Sequence, residues 1–168
     1  CGVQRPEQAA LLAREIDRLP GLAFGGLMTY PPRAQIGITS HWLGDAVAAI
    51  RAMQLEVPVV SVGGTPDMYR AHEIEASTEH RPGTYIYSDR YMAAHGVGTL
   101  ADCALRIVAT VVSRPTADRA IIDAGSKALT SDLLGLDGYG MVPELNESVV
   151  FNVNEEHGYL DVSRTNHK

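Results

Sequence analysis

Apolar positions in the first half of the chain recur at two spacings, and the change from one to the other predicts alternating helices and strands. From Pro6 to Leu19 the residues Ala9, Leu12, Ile16 and Leu19 fall on one face at helical spacing, and Pro20-Gly21 ends the helix. LAFGGLMTY then reads as a buried strand and PPRAQIGITS as a loop. HWLGDAVAAIRAMQL returns to helical spacing, with Leu43, Val47, Ile50 and Gln54 on one stripe and Trp42, Ala46, Ala49 and Met53 beside it. VPVVSV carries almost no polar alternation, the pattern of a parallel strand buried on both faces. This rhythm predicts a barrel or a doubly wound sheet, and periodicity alone does not choose between them. After Asp89 the rhythm changes. CALRIVATVVS, RAIIDAG, SVVFNV and GYLDVS read as strands separated by loops, predicting an antiparallel β-domain that begins near Gly96 to Leu100. The expected division is therefore 1–97 and 98–168.

Composition narrows the classes of function. The chain has 168 residues, 45% of them hydrophobic and 20% charged, with a formal net charge of −6. An acidic balance with scattered Arg and Lys argues against a nucleic-acid surface. No apolar run approaches a membrane span, and the first residues do not form a signal peptide. Two cysteines, Cys1 and Cys103, make no disulfide framework, which points to a reducing cytoplasm. The chain starts at Cys1 and enters a helix at once, as if in mid-domain, so it is expected to be a C-terminal portion of a longer protein. A rival expectation makes Cys1 an N-terminal nucleophile whose α-amino group serves as base.

The candidate chemistry centres on Ser61 to Asp89. Two glycine turns there each close a strand-like run and lead into threonine: Gly63-Gly64-Thr65 and, about 20 residues later, Gly83-Thr84, the spacing of adjacent βα units. Glycine lets the backbone approach an anion closely. Pro66 sits where a first helical position would be, so exposed N–H groups would add donors. Arg81 precedes the second turn and supplies a fixed cation. The tandem arrangement predicts a phosphate cradle. Tyr30 and Tyr85, near predicted strand ends, are candidate pocket residues.

GLAFGGLMTY, VSVGGTPDM, RPGTYIYSD, SRPTADRAIIDAGSKALTSD and NEEHG together resemble the D-threonine aldolase and D-serine dehydratase group of pyridoxal-phosphate enzymes, whose fold is similar to that of alanine racemase. The resemblance implies the C-terminal part of a (β/α)8 barrel followed by a β-domain, incomplete at its C-terminus. It implies a lyase acting on D-3-hydroxy amino acids, foremost a D-threonine aldolase yielding glycine and acetaldehyde. A D-serine dehydratase, an amino-acid racemase of the same fold and a non-catalytic pyridoxal-phosphate carrier are the alternatives. It further implies a homodimer, and pyridoxal 5'-phosphate held by Gly63, Gly64, Thr65, Arg81, Gly83, Thr84, Tyr85 and Tyr30, with Arg81 against the pyridine nitrogen. The Schiff-base lysine is expected upstream of Cys1. A divalent metal (Mn, Mg or Zn) is expected in the intact protein, on ligands beyond His167-Lys168, with none in this segment. Some aldolases of the group carry a histidine base directly after the tyrosine matching Tyr30, where this chain has Pro31-Pro32.

Other polar residues yield simpler expectations. Asp123, Lys127 and Asp132 lie in DAGSKALTSD, which the resemblance places in the β-domain near a subunit interface, with Lys127 a solvated charge. Glu155, Glu156 and His157 resemble an acid/base or metal cluster, but neighbours on a strand point to opposite faces, so a loop of surface charges is expected. His41, His72, His80, His95 and His167 repeat no metal spacing and are expected at the surface or at helix ends.

Overall fold

The computed structural model describes residues 2–145 and 147–165; Cys1, His167 and Lys168 lie outside the described residues. The chain divides into two compact units, one of Cys1–Ser88 and Met92–Thr99, the other of Asp89–Tyr91 and Leu100–Lys168.

The first unit is a three-stranded parallel sheet with helices on one face. Helix α1 (Pro6–Arg18) has proline at its start, where no donor is needed, and Gln8 Oε1 accepts the N–H groups of Gln4 and Arg5 at 3.2 Å each. It stops at Leu19, before Gly21 with φ +81°. The large-residue stripe expected on α1 is not the buried one. Leu12 is 51% and Leu19 44% exposed, while Ala9, Ala10 and Ala13 are buried. Three alanines let the α1 backbone come close to α2, and that close approach leaves the leucines on the flanks.

Strand β1 (Gly26–Thr29) is followed by α2 (Ile36–Ala52), which begins five residues earlier than the sequence pattern suggested. IGITS is helix, not loop, because Ile36 is the first buried anchor of the stripe that continues through Leu43, Val47 and Ile50. Gln54, expected on that stripe, instead lies beyond the helix at φ +61° and turns the chain back toward β2 (Val59–Gly63). Strand β2 pairs in parallel with β1 and with β3 (Glu79–Arg81). Val60 and Val62 face the helices in one core with Ala10, Ala13, Leu43, Val47 and Ile50. Burial of a Val, Leu or Ile side chain is worth about 1.5–3 kcal/mol, so this layer carries the stability of the unit.

The second unit is a four-stranded antiparallel sheet of order β4-β5-β7-β6, with β4 Val111–Thr116, β5 Arg119–Ile122, β6 Val149–Val153 and β7 Gly158–Asp161. CALRIVAT does not join it. Leu105 and Val108 are 68% and 98% exposed, and the strand begins only at Val111, where Ile122 of the short β5 becomes available as a partner. Ala120, Ile122, Val150 and Leu160 form the core of this unit with Leu129, Tyr139 and Val142. The Arg90 guanidinium donates to the carbonyls of Gly138 (3.1 Å) and Asp137 (2.8 Å), fastening the loop before β6. Among the described residues, no helix is long and apolar enough to cross a membrane.

Candidate functional site

The parallel register places the expected site residues of the first unit together. Ser61 lies opposite Glu79 and Gly63 opposite Arg81, so these four alternate positions share the sheet face that points away from the helices. Because Gly63 has no side chain, the Arg81 guanidinium can fold across β2. A Cβ on Gly63 would come within 3.1 Å of Arg81 Nη2 and 3.0 Å of the Tyr30 ring. Arg81 Nε donates to Ser61 Oγ at 2.7 Å and Nη2 to the Thr29 carbonyl on β1 at 2.8 Å. The Ser61 hydroxyl in turn donates to Glu79 Oε1. One arginine thus ties all three strands.

The two glycine turns are joined by Thr65. Its hydroxyl is buried and accepts the Gly83 N–H at 3.2 Å, which fixes the spacing of Gly63-Gly64-Thr65 to Gly83-Thr84. Gly64 has φ +112°, open to glycine and strained for other residues, and a Cβ there would meet the Tyr30 ring at 3.3 Å. Around the Cβ position of Gly83, by contrast, nothing lies within 4 Å. The turn therefore has one face packed by Tyr30 and another open. No α-helix starts at Pro66. A 3₁₀ turn at Met68–Glu73 follows, and another at Thr84–Ile86, so the donors belong to the turns themselves and the helix-dipole contribution expected from the sequence is missing.

Tyr30 is 68% and Tyr85 55% exposed; Tyr85 lies in the second 3₁₀ turn. Pro31, which follows Tyr30, is buried, and the Ala34 N–H donates to Asp67 Oδ2 at 3.0 Å, stitching the Pro31–Ala34 loop to the first glycine turn. An open cavity of about 320 Å³ runs along the same sheet face, lined by Met28, Val59, Ser61, Glu79 and Arg81 among others. The glycine turns lie outside it. Sequence reasoning missed Ser61 and Glu79. The available signal was a serine interrupting an apolar strand and a glutamate two residues before the arginine.

A buried hydroxyl, an open glycine turn and a tethered guanidinium form a donor set suited to an anion beside an aromatic nitrogen. Of the residues expected to hold pyridoxal phosphate, Tyr30, Gly63, Gly64, Thr65, Arg81 and Gly83 lie together and suit that group in chemical type. A divalent metal has no comparable set, since no three His, Cys, Asp or Glu residues come together as ligands among the described residues.

The remaining candidates belong to the second unit or to isolated positions. Asp123 Oδ1 accepts the Thr110 N–H, a bond across the end of the β4–β5 pair, and Asp132 Oδ1 accepts the Leu134 N–H, a local turn bond. The Asn154–His157 turn packs on Gly125 and Lys127, with Ser126 N–H donating to the Asn154 carbonyl at 2.8 Å. Lys127 Nζ bonds Glu156 Oε1, while Glu155 and His157 are exposed. His80 departs from expectation. It lies within β3, and both of its ring nitrogens are buried without a hydrogen-bond partner among the described residues.

The Lys127 hydrogen bond and charge hold the Glu156 carboxyl below its ordinary range. A lowered folded-state pKa contributes stability above the unfolded carboxylate value of about 4.3, and that contribution is lost as the pH falls through the folded value. Both groups are exposed, so Lys127→Met should lower the melting temperature only slightly at pH 7, and less in high salt. Melting curves compared at neutral and acid pH should show the difference shrink in acid; a pH-independent difference would assign it to the packing of the lysine stem.

A family model described as "Alanine racemase, N-terminal domain" matches residues 1–91, more than half of the chain, and one described as "Putative serine dehydratase domain" matches 104–168. The chain is 39% identical over 128 residues to the D-threo-3-hydroxyaspartate dehydratase of Delftia sp. (strain HT23), covering 69% of this chain and 33% of that protein. It is 29% identical over 175 residues to the D-threonine aldolase of Arthrobacter sp, covering 96% and 45%. The solved structure of the Delftia dehydratase aligns at a TM-score of 0.77 with 29% identity, over 96% of this chain and 48% of that one. The chain thus spans between a third and a half of the length of these relatives, which are enzymes by name.

Proposed function

Since the chain belongs to the family of the alanine racemase N-terminal domain, we propose that it is part of a pyridoxal-phosphate-dependent lyase acting on D-3-hydroxy amino acids, and that its two units are the closing strands of a (β/α)8 barrel and a β-domain. The observation that carries this reading is the Thr65 bridge between two glycine turns beside the tethered Arg81. When bound, pyridoxal phosphate supplies an electron sink for charge left on the α-carbon of an amino acid. The chain's residues supply position. Gly64, Thr65 and Thr84 would hold the phosphate through turn amides and the Thr65 hydroxyl, while Gly83, whose N–H is given to Thr65, would keep the second turn open to it. Arg81, a fixed cation, would face the pyridine nitrogen and leave it unprotonated. Tyr30, whose ring lies beside Gly63 and Gly64, would flank the cofactor, and Tyr85, in the second 3₁₀ turn, is the other candidate.

Cleavage of D-threonine to glycine and acetaldehyde is the first reading of the reaction. Dehydration is the second, favoured by Pro31 at the position after Tyr30. The full-length protein, loaded with pyridoxal phosphate, is to be incubated with D-threonine, D-serine and D-threo-3-hydroxyaspartate, and with their L-isomers. Expected is consumption restricted to D-isomers, with glycine marking cleavage and a 2-oxo acid marking dehydration. Interconversion of D- and L-isomers alone would replace the lyase with a racemase. A cytoplasmic homodimer belongs to the same reading, and sedimentation of the full-length protein tests the dimer.

A further inference from the structure

The arginine that faces the proposed cofactor ring does not hold itself in place. Its Nε–H is given to Ser61 Oγ at 2.7 Å, and the hydroxyl passes its own proton toward the Glu79 carboxylate, one strand position away on the same face. Ser61 is 5% exposed, so the central hydroxyl is withdrawn from water, whereas Glu79 and Arg81 on either side of it are exposed. Of the five guanidinium N–H groups, the bonds to Ser61 and to the Thr29 carbonyl occupy two. The outer N–H groups are left to a ligand. A serine hydroxyl has one proton. With that proton committed to Glu79, its lone pairs are turned to Arg81, and the carboxylate sets the direction of the hydroxyl.

Resting on the proposed cofactor reading, we infer that Ser61 and Glu79 are positioning residues that orient the Arg81 guanidinium toward the pyridine nitrogen. Ser61 makes the contact and Glu79 fixes the sense of the Ser61 hydrogen bond. Neither touches the substrate. Their effect is confined to the part of binding that depends on the ring nitrogen, which separates this role from a general contribution to folding.

The test compares two ligands on the full-length protein freed of cofactor: pyridoxal phosphate and 1-deazapyridoxal phosphate, in which C–H replaces the ring nitrogen. Dissociation constants are measured by absorbance titration for the wild type, Ser61→Ala and Glu79→Gln. Wild type should prefer the natural cofactor by on the order of tenfold, the worth of one good hydrogen bond. Ser61→Ala should abolish the preference while leaving the deaza affinity nearly unchanged. Glu79→Gln, whose amide oxygen still accepts, should retain part of it. Equal weakening of both ligands in the variants would make the role structural and overturn the inference while leaving the cofactor reading intact. No binding of either ligand, or no preference in the wild type, would remove Arg81 from the ring nitrogen and the inference with it.

Discussion

Gly26→Ala in the full-length protein should cost about 3 kcal/mol or more of stability, the largest effect expected from any single methyl group in the first unit. Gly26 has φ +131°, and a Cβ built there would lie 1.9 Å from the Val59 carbonyl oxygen and 2.8 Å from its carbon. Both obstacles are backbone, in the strand that pairs with β1, so relief requires β1 and β2 to separate. Urea unfolding should show a lower midpoint at unchanged slope. The neighbouring Gly25 is the control: nothing lies within 4 Å of its Cβ position, so Gly25→Ala should be nearly neutral. Equal midpoints for the two variants would mean that the β1–β2 approach is looser than the structure has it.

The second large effect concerns cofactor retention. Thr65→Ala removes a buried hydroxyl that holds the Gly83 N–H, and with it one donor from the proposed phosphate cradle. A hydrogen bond to a charged group is worth about 1.5–3 kcal/mol, so the dissociation constant of pyridoxal phosphate should rise by roughly one to two orders of magnitude. Gly83→Val should be worse, because its side chain would fill the space that is open in the native turn. Equilibrium dialysis of the full-length variants measures both. Unchanged retention in the two would reduce these segments to connecting turns.

The sequence pattern located the helix-sheet alternation and the change to antiparallel strands because the buried faces are built from contiguous valines, leucines and isoleucines. On α1 it included Ala9 but passed over Ala10 and Ala13, which act by being small, and gave the face to Leu12 and Leu19, which are exposed. The start of α2 was missed because Gln35 provides no side-chain cap, so nothing in the composition marks the boundary. The glycine turns and Arg81 were legible as motifs. Their cooperation with Ser61 and Glu79 was not, since it depends on the register between β2 and β3, and pairing partners eighteen residues apart leave no local periodicity.

The Tyr30 ring stands where side chains at positions 63 and 64 would otherwise be. An aromatic ring and two absent methyl groups therefore form one size-matched set, drawn from two separate loops. Positions 30 and 63 should covary among homologues: an alanine at 63 is better accommodated alongside a slimmer residue at 30, whereas position 64, at φ +112°, stays glycine whatever stands at 30. The double variant Tyr30→Ala with Gly63→Ala should accordingly be better tolerated than the sum of its single substitutions, which makes the ring and Gly63 a single unit of inheritance.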